Sequence, residues 1–220
     1  MKRLLIAILC CLCLFACATV RPHLTEPTFQ AENQPIRTIT MLVLYDSSYD
    51  LADIQAMITE ASECLSKQVG IEIDPIYAAS PGRYRADMKK SLGELDRAYH
   101  NTAYDMIAEF ARQGPIDFLQ RMTVGNWKAF IDDVWRRYIV MTDTDDATFL
   151  HEIAHAFIWT HEHSTGGLMM GLRFEIVPTV PIYSPIWLAP KDREEVLKHK
   201  WRDFQVKADV PVEDVHDVPN

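Results

Sequence analysis

Phe149-Leu150-His151-Glu152-Ile153-Ala154-His155-Ala156-Phe157-Ile158-Trp159-Thr160-His161-Glu162-His163 holds four of the chain's eight histidines, and its reading governs the rest. At its centre is the pattern HExxH. On a helix, residues i and i+4 lie about 40° apart around the axis, so His151 and His155 share one face and can grip one ion. Glu152, beside the first histidine, is then placed to hold and deprotonate a water on that ion rather than to ligate it. The flanking Phe149, Leu150, Ile153, Ala154, Ala156, Phe157 and Ile158 make the helix apolar nearly all round, and therefore buried. Two histidines and a glutamate on a buried helix need partners, which a Zn2+ ion supplies. The plainer alternative is an ordinary helix carrying two surface histidines. Asp143, Thr144, Asp145 and Asp146 mark the helix start with N-cap side chains and negative charge.

His161 follows six residues after His155, and Leu168-Met169 follow soon after it. This arrangement resembles the metzincin clan of zinc peptidases, with a spacing from third histidine to methionine most like the matrixin branch. The resemblance is specific over residues 151–170 and only topological elsewhere. It implies His151, His155 and His161 as zinc ligands, Glu152 as the general base acting on a zinc-bound water, and Met169 as the Met-turn residue beneath the metal. It also implies a zincin fold: a twisted sheet with an active-site helix and a small C-terminal subdomain.

One position departs from the pattern. The clan has a glycine seven residues after the first histidine, where this chain has Ile158, and a β-branched residue resists positive φ. If the helix ran on, His161 would sit about 120° around from His155, out of reach of the ion. Glu162 would return to the right face about 16 Å along the axis from His151, too far to share the metal. A third ligand from this stretch therefore requires the helix to end near 158–160. His163 competes with His161 for that place, and the spacing to Met169 favours His161. A second plan, that of the gluzincins, would use Glu175; its surroundings, Leu172 to Pro178, read as extended chain rather than helix.

Met1-Lys2-Arg3 and the apolar run Leu4–Ala16 read as a signal peptide over residues 1–16, too short to span a bilayer as a helix. Leu14-Phe15-Ala16-Cys17 resembles a bacterial lipobox, which makes Cys17 the expected lipidated N-terminus. Ala16-Cys17-Ala18 also suits ordinary signal peptidase, which would release a soluble protein. The expected location is the bacterial cell envelope, anchored to a membrane by lipid, with a secreted or periplasmic soluble form as the alternative. Cys64 is then the one unmodified cysteine, expected as a small buried residue within a helix, and no internal disulfide is available. The whole chain carries a net charge of −9, and losing Lys2 and Arg3 with the signal makes it more acidic still. Such a surface argues against nucleic acid as a partner.

Residues 17–37 read as a tether, 38–206 as one peptidase domain, and 207–220 as a disordered acidic tail. Thr38–Tyr45 is expected as a buried strand, Leu51–Val69 as a helix ended by Gly70, and Ile71–Asp74 as a strand halted by Pro75. A strand–helix–strand unit of this length favours parallel pairing. Arg83–Arg112 reads as a long helix, Trp127–Arg136 as another, Tyr138–Met141 as a strand and Asp192–Phe204 as a closing helix. No equivalent of the clan's substrate-holding edge strand is evident in 83–136. His23, His100, His199 and His216 read as surface residues.

The expectation is thus an α/β (α+β) zinc-dependent endopeptidase acting on a peptide or protein substrate. The rival class is a non-catalytic envelope lipoprotein, a binding or scaffolding module with a structural zinc site. Glu152 speaks for the enzyme, since a closed structural site needs no base.

Overall fold

Strand β1 (Arg37–Tyr45) is buried on both faces, as a near-continuous apolar run dictates for the middle of a parallel sheet. The computed structural model describes residues 34–80, 88–111, 129–159, 164, 166–169 and 186–208. Its elements continue with α1 (Leu51–Val69), β2 (Ile71–Ala79), α2 (Met88–Tyr99), β3 (Met106–Phe110), β4 (Ala129–Ile131), β5 (Tyr138–Met141), α3 (Asp146–His155) and α4 (Pro190–His199). The strands form one five-stranded sheet in the order β2-β1-β3-β5-β4. β4 alone runs antiparallel, pairing Ala129 with Met141 and Ile131 with Ile139.

Period-two alternation along β1 divides two cores. Ile39, Met41 and Val43 meet α1 (Ile54, Ile58, Leu65) and α3 (Phe149, Leu150, Ile153), together with Leu188, Val196 and Phe204 from the C-terminal segment. Leu42 and Leu44 face the other way, onto Leu92 and Leu95 of α2 with Ile107 and Val140. The chain is a mixed α/β protein with helices on both faces of the sheet. Asp50 caps α1 through Ala52 N at 2.9 Å, and Gly70 ends it at φ 65 with its N–H on Leu65 O and Ser66 O. Cys64 is buried on α1, its thiol 3.3 Å from Ile186 O. No helix among the described residues is long and apolar enough to cross a membrane.

Four expectations are corrected. Strand β2 runs through Pro75 to Ala79, because it is an edge strand of this sheet and a missing N–H is tolerated there. The long helix expected from Arg83 stops at Tyr99, and Met106–Phe110 is instead a buried strand between β1 and β5. Asp105 ties the head of that strand to β1, accepting from Thr40 N at 2.9 Å and from its hydroxyl. The helix expected over Trp127–Arg136 is the strand β4 followed by a turn, residues 127 and 128 lying outside the described residues. The closing helix is Pro190–His199, begun by a proline at its first turn. Ala208 N donates to Val134 O at 3.0 Å, and the rest of the expected tail lies outside the described residues.

Candidate metal centre

Asp145 is the N-cap of helix α3, and its carboxylate takes the Thr148 hydroxyl at 2.5 Å rather than a backbone N–H. Ala147, Phe149, Leu150, Ile153 and Ala154 bury it against the sheet and α1, leaving His151 and His155 half-buried and Glu152 9% exposed. The two imidazoles meet edge-on, with Nε2 atoms 3.1 Å apart. Two nitrogens bound to one zinc at 2.0–2.1 Å in tetrahedral geometry stand about 3.3 Å apart, a separation close to that of this pair, which could hold one ion.

The tautomer of His151 follows from its partner. Its Nδ1 lies 3.0 Å from Leu168 O, and a carbonyl oxygen can only accept. Nδ1 therefore carries the hydrogen, and the Nε2 lone pair points toward His155. Holding the far nitrogen of a ligand histidine in this way orients the ring and raises its basicity.

That carbonyl is itself pinned. Leu168 N donates to Trp187 O at 2.7 Å, and Gly167 has φ 78. A Cβ on Gly167 would stand 2.7 Å from Trp187 O and 2.8 Å from Ala189 N, so only glycine fits the turn. Gln68, fully buried on α1, holds the segment 186–188: its Nε2 donates to Ile186 O at 3.0 Å and its Oε1 accepts from Leu188 N at 2.7 Å. Sequence reading passed over Gln68, since nothing local distinguishes it from any other polar helical residue. Met169, the expected Met-turn residue, is fully buried in the same turn, next in the chain to the carbonyl that orients His151.

His161, its competitor His163 and the gluzincin-type Glu175 all lie outside the described residues, as does Cys17. Among the described residues, no group of three His, Cys, Asp or Glu side chains could hold a metal. His151 and His155, two of the three expected ligands, are thus side by side, and the expected base Glu152 is the residue next to His151 on the same helix.

Helix α3 stops at His155, as a third ligand from this stretch requires. Ala156 N and Phe157 N bond back to Ile153 O and Ala154 O three residues earlier, and Ile158 N to Ala154 O, so the last turn tightens. Among the described residues Arg136, at φ 50, is the one non-glycine with positive φ; Ile158 leaves the helix without any left-handed conformation. Ile158 is 2% exposed and part of the main core. Ile158→Gly, although it restores the clan's residue, should therefore destabilise the protein by about 3 kcal/mol through lost burial and added chain freedom. Urea unfolding measures this; an unchanged or higher midpoint would show that residue 158 does adopt a glycine-type turn.

The carbonyls after His155 are met by side chains from elsewhere in the fold. Arg136 Nη1 donates to His155 O at 2.9 Å and also to Ile158 O. Arg202 Nη1 donates to Ala156 O at 2.7 Å, and His199 Nδ1 to Phe157 O at 2.9 Å. His199, read from sequence as a surface residue, is half-buried with its ring stacked on Trp159 at 3.9 Å. Burial lowers both guanidinium pKa values against the pull of nearby acids, and Arg202, lowered further by Arg136 and Arg37, comes to about 10.

No protein-family model matches this chain, and no curated protein matches its sequence. Among solved structures it is similar to metalloproteinase-II from Bacteroides fragilis, at 14% identity and a TM-score of 0.48, over 78% of this chain and 58% of that one. It is also similar to a zinc-dependent peptidase from Methanocorpusculum labreanum, at 14% identity and a TM-score of 0.41, over 71% of this chain and 99% of that one. The chain thus spans little more than half the length of the Bacteroides protein.

Proposed function

We propose that this chain is a zinc-dependent peptidase of metzincin type, exported to the bacterial cell envelope and anchored there through lipidated Cys17. The observation that carries the reading is the paired Nε2 atoms of His151 and His155, 3.1 Å apart, with the His151 tautomer set by Leu168 O. A buried carboxylate stands between them in the sequence, at Glu152.

His151 and His155 would hold the ion, with His161 as the proposed third ligand. Zinc, when bound, supplies Lewis-acid polarisation of a carbonyl and of water. The Glu152 carboxylate takes a proton from the attacking water and delivers it to the leaving amine nitrogen. Strand β4 supports a peptide as the substrate class. It is a sheet edge packed against α3, and its outer side carries no strand among the described residues. An extended peptide can add to such an edge through its backbone.

The purified full-length protein should bind about one zinc per chain, and His155→Ala should abolish that binding. Metal analysis after dialysis against zinc checks both. Well-folded protein that retains no zinc would remove this reading, together with the rival of a binding module built on a structural zinc.

A further inference from the structure

The helix of the metal pair ends without the glycine that its pattern calls for, and something must do that glycine's work. A helix end leaves carbonyls without intrahelical donors at the negative pole of its dipole. Here the carbonyls of His155, Ala156, Phe157 and Ile158 are taken in turn by Arg136, Arg202, His199 and again Arg136. None of these donors comes from α3. Arg136 belongs to the turn between β4 and β5, while His199 and Arg202 lie at and just beyond the end of α4. Next along the chain, Trp159 N donates to Glu195 Oε1 at 2.7 Å, and Ser164 Oγ donates to Asp192 Oδ1 at 2.6 Å. Glu195 and Asp192 are three residues apart on α4, so Trp159 and Ser164 are both held to one helix.

Arg136 carries a further mark of selection for position. It is 4% exposed and sits at φ 50, a backbone conformation that arginine adopts only when its surroundings hold it there. Asp132 does the holding, accepting Trp135 N, Arg136 N, Arg137 N and Tyr138 N at 2.6 to 3.0 Å. Arg202 is tied to the same turn through Trp135 O at 2.7 Å.

We propose that Arg136, Arg202 and His199 are positioning residues of the metal site, a side-chain cap that replaces the glycine turn and sets where the chain leaves the helix on its way to the third ligand. The proposal rests on the zinc reading above. A glycine turn ends a helix through its own backbone; this cap ends it through two guanidiniums and an imidazole, which lock the helix end to the β4–β5 turn and to α4. Loosening the cap should therefore reach the metal without touching a ligand.

The test uses the full-length chain carrying Arg136→Met, with Arg202→Met and Arg136→Lys as second variants should the first fold poorly. Zinc affinity is measured by competition with a chelator, and amide exchange is followed in metal-free protein. Arg136→Met should weaken zinc binding at least tenfold. It should speed exchange at Ala156–Trp159 at least tenfold, while the amides of α1 keep native protection. Arg136→Lys should recover part of both, since one ammonium keeps the charge but lacks the planar fork. A folded variant with native zinc affinity would overturn the proposal, and so would exchange that quickens equally in α1, which marks general destabilisation. The exchange arm needs no metal. Absent zinc binding in the native chain, with the local exchange response intact, would therefore sink the zinc reading and leave the cap itself standing.

Discussion

Glu152→Gln should retain one zinc per chain and nearly native thermal unfolding while losing peptidase activity by on the order of 10³-fold, about 4 kcal/mol of transition-state stabilisation. Glutamine keeps the volume of a side chain that is 9% exposed, so packing of α3 is preserved. It cannot accept a proton from water at neutral pH, and that step is the one assigned to this carboxylate. The expected pattern is a fall in kcat with little change in KM, because the lost proton transfer belongs to the chemical step and not to ground-state binding. Cleavage of a quenched peptide library by the native and variant proteins, alongside metal analysis, gives the comparison. A variant that holds zinc and cuts as fast as the native chain would take the base role from Glu152. A native protein that holds zinc and cuts nothing would favour the binding-module rival.

The parts legible in the sequence were those written in local spacing. An i,i+4 histidine pair on an apolar helix, the periodic face of Leu51–Val69 with Gly70 behind it, and the β-rich run into Tyr45 all carry their geometry within a few turns of chain. Strand β3 was not legible. Met106-Ile107-Ala108-Glu109-Phe110 has no β-branched alternation to set it against the helical pattern before it, and it is a strand because β1 and β5 flank it. Its Glu109 is 1% exposed and accepts the Ser80 hydroxyl at 2.7 Å, a pairing across twenty-nine residues that no local pattern announces. The end of α3 shows the same limit more sharply. The sequence shows that Ile158 resists the usual turn and that a third ligand from this stretch requires the helix to end near 158–160, but not what would end it. The donors that stop it lie between 19 and 46 residues away, in the β4–β5 turn and at and just beyond the end of α4.

The β4–β5 turn holds the second large expected effect. Asp132→Ala should destabilise the protein by about 4 kcal/mol, more than any ordinary surface substitution. One carboxylate accepts four consecutive backbone N–H groups, from Trp135 to Tyr138, and three of those four residues are buried. Hydrogen bonds to a charged group contribute about 1.5–3 kcal/mol each, and a buried donor left unmatched costs about 1–3 kcal/mol. Four separate penalties would exceed the stability of most domains, so the turn must relax and readmit water at some of them, which brings the sum down. Asp132→Asn keeps an acceptor oxygen and loses the charge, so it should cost roughly half as much. Urea unfolding at constant slope measures both variants. A shift under about 1 kcal/mol for the alanine variant would show that the carboxylate does not hold the turn. Because the same turn places Arg136, the alanine variant should also weaken zinc binding under conditions where it is still folded. Stability and metal affinity should then fall together through one residue that ligates nothing.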